Sequence, residues 1–371
     1  MTERIAQKSI EKFLGKGKAI VVLGPRQVGK TTLIKEVLQD KKHLFLNADD
    51  PTVRNMLSNI NTEELKDLIG KFEYLFIDEA QLIKNIGLTL KLITDQFKEV
   101  QLLVSGSSSL ELGNLLNEPL TGRKRSIQLF PISWKELENE LGYLTAFQQL
   151  KIRLVYGFYP EVLNSSGEEK EVLNELVNSY LFKDILALSG IRKPQILEKL
   201  VRALAFQLGG EVSYNELAQL VGVDKNTISN YIDLLEQAFV VFRLNSFSKN
   251  LRNEIKTNQK IYFYDNGLRN AIIGNFNSMD FRNDLGSLWE NFLIAERIKK
   301  HSYERNNAKF YFWRTKQQQE IDWVEEVNGS LKAFEFKWNP SAKYKTPKTF
   351  EAAYKTKVEL IHRDNFRQFV L

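Results

Sequence analysis

The sequence predicts an α/β chain built first on a parallel sheet, from three observations. A β-branched run, Lys18–Leu23, leads into Gly24, Pro25, Arg26, Gln27, Val28, Gly29, Lys30 and Thr31, which match G-x-x-x-x-G-K-[ST] in full. A helical pattern over Leu33–Leu38 follows directly, giving the strand, loop and helix that this motif requires. Further short apolar runs, His43–Leu46, Tyr74–Ile77, Gln101–Val104 and Ser126–Leu129, alternate with helical stretches, the βαβ pattern of a sheet covered on both faces.

Each part of the motif has a physical task. Gly24 and Gly29 let the backbone curl so that amide hydrogens face phosphates, and the following helix adds its positive N-terminal end. Lys30 reaches the β- and γ-phosphates of a nucleoside triphosphate. The Thr31 hydroxyl is one magnesium ligand, with Thr32 beside it as a substitute. The run Tyr74–Ile77 ends in Asp78 and Glu79 where the chain emerges beside the phosphates. Asp78 is expected to hold magnesium through water, and Glu79 to polarise the water that attacks the γ-phosphate. The strand Gln101–Val104 leads into Ser105-Gly-Ser-Ser-Ser109, whose hydroxyls either sense the γ-phosphate, Ser107 first and Ser105 second, or form a plain serine-glycine turn.

Composition narrows the classes. At 371 residues the chain is too long for one core, so several domains are expected. There are no cysteines, which excludes disulfides, thiolate zinc sites and cysteine nucleophiles. The histidines, His43, His301 and His362, are scattered, so any metal sits on oxygen ligands. No early apolar run is long enough to span a bilayer and no signal-peptide pattern precedes Ala19–Leu23, so the expected location is the cytoplasm, with no membrane partner. The net charge of +6 favours acidic partners such as nucleic acid.

The P-loop, the strand ending in Asp78 and Glu79, the polar strand tip, Pro119–Arg123 and Leu129–Ser133 together resemble the AAA+ ATPases. More narrowly, the chain resembles the prokaryotic AAA-type family in which a winged-helix segment and a nuclease-like domain of uncharacterised function follow the ATPase. The resemblance covers essentially the whole chain. It implies a magnesium-dependent ATPase with ATP and Mg2+ as cofactors. It also implies an arginine finger at Arg123, reaching the γ-phosphate of a neighbouring subunit and so self-association, although Arg123-Lys124-Arg125 also reads as a solvated basic turn.

Four segments are expected: an ATPase core over residues 1–133, a helical lid over 134–192, a winged helix-turn-helix over 193–253 and a nuclease-like domain over 254–371. In the lid, Trp134, Leu137, Leu141 and Leu144 have the spacing of a buried stripe, and Arg153 is the candidate for a second sensor. A helix over Gln195–Leu208 precedes Ser213–Gly222 and Asp224–Gln237, two helices joined by a glycine turn, with Val240–Phe247 as a wing strand. Lys225, Asn226, Thr227, Ser229 and Asn230 line the start of the second helix, where a groove of DNA would be met. Lys193–Asn253 carries seven basic against six acidic residues, a small surplus for phosphate binding, and winged helices also dock proteins.

In the C-terminal half, strands at Lys260–Tyr264 and Lys309–Trp313 bracket a helix over about Gly286–Lys300 that carries Glu290. Strands Glu320–Val324 and Leu331–Trp338 carry Asp322, Glu335 and Lys337. Residues two apart on a strand share a face, so Glu335 and Lys337 point together while Phe334, Phe336 and Trp338 face a core. Asp322 and Glu335 offer oxygens to magnesium, and Lys337 stands where it orients water or steadies developing charge. Glu290, Asp322, Glu335 and Lys337 resemble the PD-(D/E)XK nuclease core, a restriction-endonuclease-like fold. Alternating charges on a half-exposed strand explain the same residues without chemistry. The leading expectation is ATP hydrolysis coupled to a winged helix and a nuclease-like module acting on DNA or RNA. The alternative is an ATP-controlled regulator whose C-terminal domain binds without cutting.

Overall fold

The computed structural model describes residues 2–107, 120–179, 194–247 and 259–371. Ser108, Ser109, Pro119, Lys193 and the expected boundaries after residues 192 and 253 lie outside them. The chain divides into two compact units, Met1–Ile132 with Gln237–Phe239, and Ser133–Glu236 with Val240–Leu371.

In the first unit the β-branched and aromatic runs become β1 (Ala19–Leu23), β2 (His43–Asn47), β3 (Tyr74–Asp78), β4 (Gln101–Gly106) and β5 (Lys124–Gln128). Among the described residues they form one sheet in the order β2-β3-β4-β1-β5, every pair parallel. The helices α1 (Ile5–Phe13), α2 (Lys30–Leu38), α3 (Pro51–Leu57), α4 (Thr62–Ile69) and α5 (Ile86–Gln96) accompany the strands. Helix α4 begins where a capping box places Asn61 and Glu64 on each other's backbone amides. It then buries Leu65 and Ile69 against Leu75, Ile77 and Leu90 in the core. Register aligns Asn47 with Asp78 and Val22 with Ser105, so the C-terminal tips of β1 to β4 meet at one edge. That edge of a parallel sheet is where ligands bind.

The second unit contains α6 (Trp134–Leu141), α7 (Tyr143–Tyr156), α8 (Pro160–Asn164), α9 (Glu169–Leu176), α10 (Pro194–Phe206), α11 (Tyr214–Val221) and α12 (Lys225–Gln237). It continues with α13 (Asn266–Ile273), α14 (Leu285–Glu304), α15 (Lys348–Tyr354) and α16 (Arg367–Val370). Its strands are β6 (Glu211–Val212), β7 (Val241–Ser246), β8 (Gln259–Phe263), β9 (Lys309–Arg314), β10 (Glu320–Val327), β11 (Ser330–Phe336) and β12 (Val358–Ile361). Among the described residues they form a single seven-stranded sheet in the order β12-β11-β10-β9-β7-β8-β6. Strands β7 and β8 pair antiparallel, with β6 on the far edge of β8, and the other edge of β7 pairs parallel with β9. The strands of the stretch read as a winged helix-turn-helix, β6 and β7, therefore share one sheet with the C-terminal strands.

The helices of the stretch read as a lid pack within this second unit. The Trp134 amide donates to Glu296 Oε2 (2.6 Å), and its ring stands edge-on to Phe292 and Phe366. The expected stripe ends early: Trp134 and Leu137 are buried, but Leu144 is 74% exposed. The cause is Gly142, whose φ of 76° ends α6 and resets the helical phase before α7.

Candidate functional site

The glycine-rich loop follows β1 and closes on the N-terminus of α2. Gly24 is required by packing, because a Cβ there would lie 2.0 Å from the Leu129 carbonyl oxygen that follows β5. Gly29 has a φ of 90°, the left-handed conformation that glycine adopts without steric cost. Between them Val28 is fully buried, and its carbonyl accepts from Arg4 Nη1 at 2.7 Å. Arg4 Nη2 also donates to the Phe130 carbonyl (2.5 Å), so one buried guanidinium fastens the loop to the end of β5.

Lys30 is 4% exposed, and its ammonium donates to the carbonyls of Gly24 (3.0 Å) and Pro25 (2.8 Å). Burial pulls its pKa down to about 8, although the Glu79 and Asp78 carboxylates oppose the shift. The Thr31 hydroxyl donates to Asp78 Oδ2 at 2.7 Å, so the loop threonine and the β3 aspartate are already adjacent. The Ser105 hydroxyl, at the tip of β4, donates to the other Asp78 oxygen and accepts from the Glu79 amide (3.3 Å). Glu79 takes a left-handed backbone conformation with φ 50°. Its carboxylate accepts from Gln81 Nε2 (2.5 Å), and the same nitrogen donates to Ser107 Oγ (2.9 Å). Ser107 is thus tied to Glu79 through Gln81, while Ser105 is tied to Asp78.

The sequence reading missed Arg4 and Gln81. Arg4 lies 20 residues before the motif begins at Gly24 and carries no local signal. Gln81 stands two residues past Glu79 in a short 3-10 turn and reads as a surface residue, yet it is 8% exposed. Arg123, the expected arginine finger, makes an ion pair with Asp95 at 2.6 Å, both side chains about two-fifths exposed (43% and 38%). Arg153, the second-sensor candidate, is buried in the second unit, where its guanidinium lies 3.8 Å from Glu169.

The second unit places Glu290, Asp322, Glu335 and Lys337 near one another and adds residues that were not foreseen. Asn291 sets the arrangement: its amide group bonds both the amide (2.8 Å) and the carbonyl (3.0 Å) of Phe263, pinning α14 to β8. Glu290, one residue earlier, then meets the β8 side chains Lys260 (3.3 Å) and Tyr262 (2.5 Å). Lys260 also pairs with Glu320 at 2.5 Å, and Arg314 lies 3.3 Å from the same carboxylate. The Phe336 amide donates to Asp322 Oδ2 (2.8 Å), and Lys337 pairs with Glu335 Oε1 (2.7 Å). Phe334 and Phe336 pack on Phe369, the face expected for them. Burial, with Glu290 and Glu335 nearby, raises the pKa of Asp322 well above the usual carboxylate range. Burial raises Glu335 too, against the pull of Lys337. Lys260 is raised, because the fields of Glu290 and Glu320 outweigh its desolvation.

These two sites differ in their fit to a metal ion. Thr31 and Asp78 are adjacent oxygen donors beside the loop, the donor set that magnesium takes next to phosphates. The C-terminal cluster does not fit. A lysine ammonium is already bonded to Glu290 and to the neighbouring Glu320, and among the described residues no group of three or more His, Cys, Asp or Glu is arranged to hold a metal.

A buried loop lysine, a threonine bonded to a strand-end aspartate and a parallel five-stranded sheet define the first unit as an AAA-type P-loop nucleotide-binding fold. Residues 16–138 match the family model described as an AAA domain, which supports an ATP-binding and ATP-hydrolysing role. Residues 147–279 and 285–369 match two domains of unknown function, DUF8612 and DUF4143. An uncharacterized protein of Mycobacterium tuberculosis is 27% identical over 339 residues, covering 90% of this chain and 73% of the relative. An uncharacterized protein of Methanocaldococcus jannaschii is 24% identical over 382 residues, covering 95% of this chain and 82% of the relative. A Walker-type ATPase of Pyrococcus abyssi is similar in fold, with a TM-score of 0.50 and 14% identity over 73% of this chain and 96% of that one. No helix among the described residues is long and apolar enough to cross a membrane.

Proposed function

We propose that the protein is a magnesium-dependent ATPase whose hydrolysis cycle controls a C-terminal module that binds a partner. The observation that carries this reading is the Thr31–Asp78 hydrogen bond beside a buried Lys30, three groups from two separate elements converging at one sheet edge. Lys30 exchanges its bonds to Gly24 and Pro25 for the β- and γ-phosphates. Thr31 and Asp78 would hold magnesium, which neutralises charge on the phosphates when bound. Glu79 takes the proton of the attacking water, with Gln81 fixing the carboxylate that must receive it. Arg123 reaches a neighbouring subunit's nucleotide once it leaves Asp95.

In the second unit, the order α14, β9, β10, β11, α15, β12 supports the nuclease-like reading of the fold, and α11 and α12 support the helix-turn-helix. At the start of α12, Lys225, Asn226 and Asn230 are exposed, while Thr227 spends its hydroxyl on the capping Asp224 (2.5 Å). Nucleic acid is the partner these groups fit. Binding without cleavage is favoured over cleavage by Lys260, which stands inside the acidic cluster.

Phosphate release by the full chain with ATP and magnesium tests the ATPase. Glu79→Gln should keep ATP binding and lose about 100-fold or more in turnover, the usual worth of a positioned base. Unchanged turnover in that variant would remove Glu79 from this role.

A further inference from the structure

We propose that Lys260 is the resident cation of the C-terminal acidic cluster, so that Glu290, Asp322 and Glu335 take no divalent ion and this unit engages its partner without metal-dependent cutting. This deepens the binding-module reading, while ATP hydrolysis at the P-loop stands or falls on a separate measurement.

The argument begins with how the lysine is placed. Lys260 is 1% exposed, in β8 between Leu244 of β7 and Glu211 of β6, and its ammonium lies 5.3 Å from the centre of the Phe312 ring. A side chain packed this way does not swing out to admit an ion, because its methylenes are part of the core. Its ammonium holds Glu290 Oε1 (3.3 Å) and Glu320 Oε1 (2.5 Å).

The remaining acceptors are largely committed. Glu290 Oε1 takes a second bond from Tyr262, Asp322 Oδ2 takes the Phe336 amide, and Glu335 Oε1 takes Lys337. Gly209, with a φ of 77°, approaches Glu290 so closely that a Cβ there would lie 3.3 Å from Oε2. Glu335 Oε2 is buried without a hydrogen-bond partner, as is the hydroxyl of Tyr344, whose pKa burial and the Glu335 charge raise. These bonds leave one oxygen on each carboxylate, Glu290 Oε2, Asp322 Oδ1 and Glu335 Oε2, whereas magnesium requires about six oxygens at short range. Charge points the same way. Lys260, Lys337 and Arg314, three cations, stand against Glu290, Glu320, Asp322 and Glu335, four carboxylates, so a further double positive charge would overcompensate the cluster and be repelled first by the buried Lys260.

The test uses the full chain with Lys30→Met to remove nucleotide binding, and Mn2+ as the probe, followed by calorimetry and by the electron spin resonance of free Mn2+. The expected result is no saturable Mn2+ site up to about 1 mM, far above the affinity of a working ion site. Lys260→Met in the same background should gain saturable binding, at least tenfold tighter, and adding Asp322→Asn should abolish the gain. Saturable Mn2+ binding by the protein with Lys260 intact, lost on Asp322→Asn, overturns the proposal. So does Mn2+-dependent cutting of DNA or RNA that Asp322→Asn abolishes. A folded Lys260→Met protein that gains no affinity overturns it as well. If Lys260→Met does not fold, the Lys260-intact measurement still decides. Absent phosphate release from the wild-type chain counts against the ATPase alone.

Discussion

Lys30 and Lys260 are both withdrawn from water and both stand near carboxylates, yet their partners differ. Lys30 is bonded to two neutral carbonyls, with Asp78 and Glu79 acting on it from a distance, and its pKa falls to about 8. Lys260 is bonded to two carboxylates, and its pKa rises. The first is a charge kept dry without a close counterion, held at a cost that an incoming phosphate relieves. The second already has its counterions and gains nothing from a ligand. A buried lysine beside acids is therefore no signal by itself. What separates a binding site from a closed network is whether the nearest acceptors are neutral or charged.

Replacing each lysine by methionine gives the sharpest contrast. Lys30→Met should weaken ATP binding by roughly 100-fold or more, the range for losing a buried charged contact. It should also stabilise the nucleotide-free first unit by about 1–3 kcal/mol, since an unfavourable burial is removed. Lys260→Met should instead destabilise the second unit by about 3–5 kcal/mol, leaving Glu290 without its cation and Glu320 with Arg314 alone. All five tryptophans, Trp134, Trp289, Trp313, Trp323 and Trp338, lie in the second unit, so their fluorescence follows Lys260→Met while hydrogen exchange follows the first unit. Changes of the same sign in both variants would erase the comparison.

Acidity separates the two lysines again. Lys30 has a folded pKa below its unfolded value, so between about pH 8 and the ordinary lysine value of about 10.4 the unfolded chain binds the extra proton. Stability of the nucleotide-free first unit should thus rise with pH across that window, and ATP affinity should fall as the ammonium is lost. Lys260, with its pKa raised, should keep its contribution through the same window and lose it only above it. Denaturant titrations at pH 7.5 and 9.5 read both signs.

Much of this was legible in the sequence where local pattern and chemistry coincide. The strand, loop and helix around Gly24–Thr31 are fixed by one motif, and Phe334, Glu335, Phe336 and Lys337 sort to opposite faces by alternation alone. Arg4, Gln81, Lys260 and Tyr262 were not legible, because each matters through a partner that only folding brings near: Phe130, Ser107, Glu320 and Glu290. Leu144 was misjudged because a helical stripe was extended through Gly142, where the phase is broken.

A smaller effect concerns Gln81. If its amide holds Glu79 for the attacking water, Gln81→Ala should lower kcat about tenfold and leave KM for ATP within a factor of two, the pattern of a group that acts on the chemical step. A rise in KM with kcat unchanged would assign Gln81 to nucleotide binding. Smallest of all, Arg123→Ala should change stability by less than about 1 kcal/mol, because its pair with Asp95 is solvated. Its role between subunits is read by mixing it with Lys30→Met subunits, where recovered turnover supports action across an interface.

The single sheet of the second unit bears on how this protein should be divided for experiment. The piece matched by DUF4143 begins at residue 285, after β7 and β8, so it contains Glu290, Asp322 and Glu335 but lacks Lys260. Expressed alone, it would expose the side of β9 that Asn245 and Ser246 cover, an unprotected strand edge open to pairing with other chains. Its acidic cluster would also have lost its buried ammonium. Ion binding or cutting seen in such a fragment would describe an orphaned half of a charge network and say nothing of the same carboxylates in the intact chain.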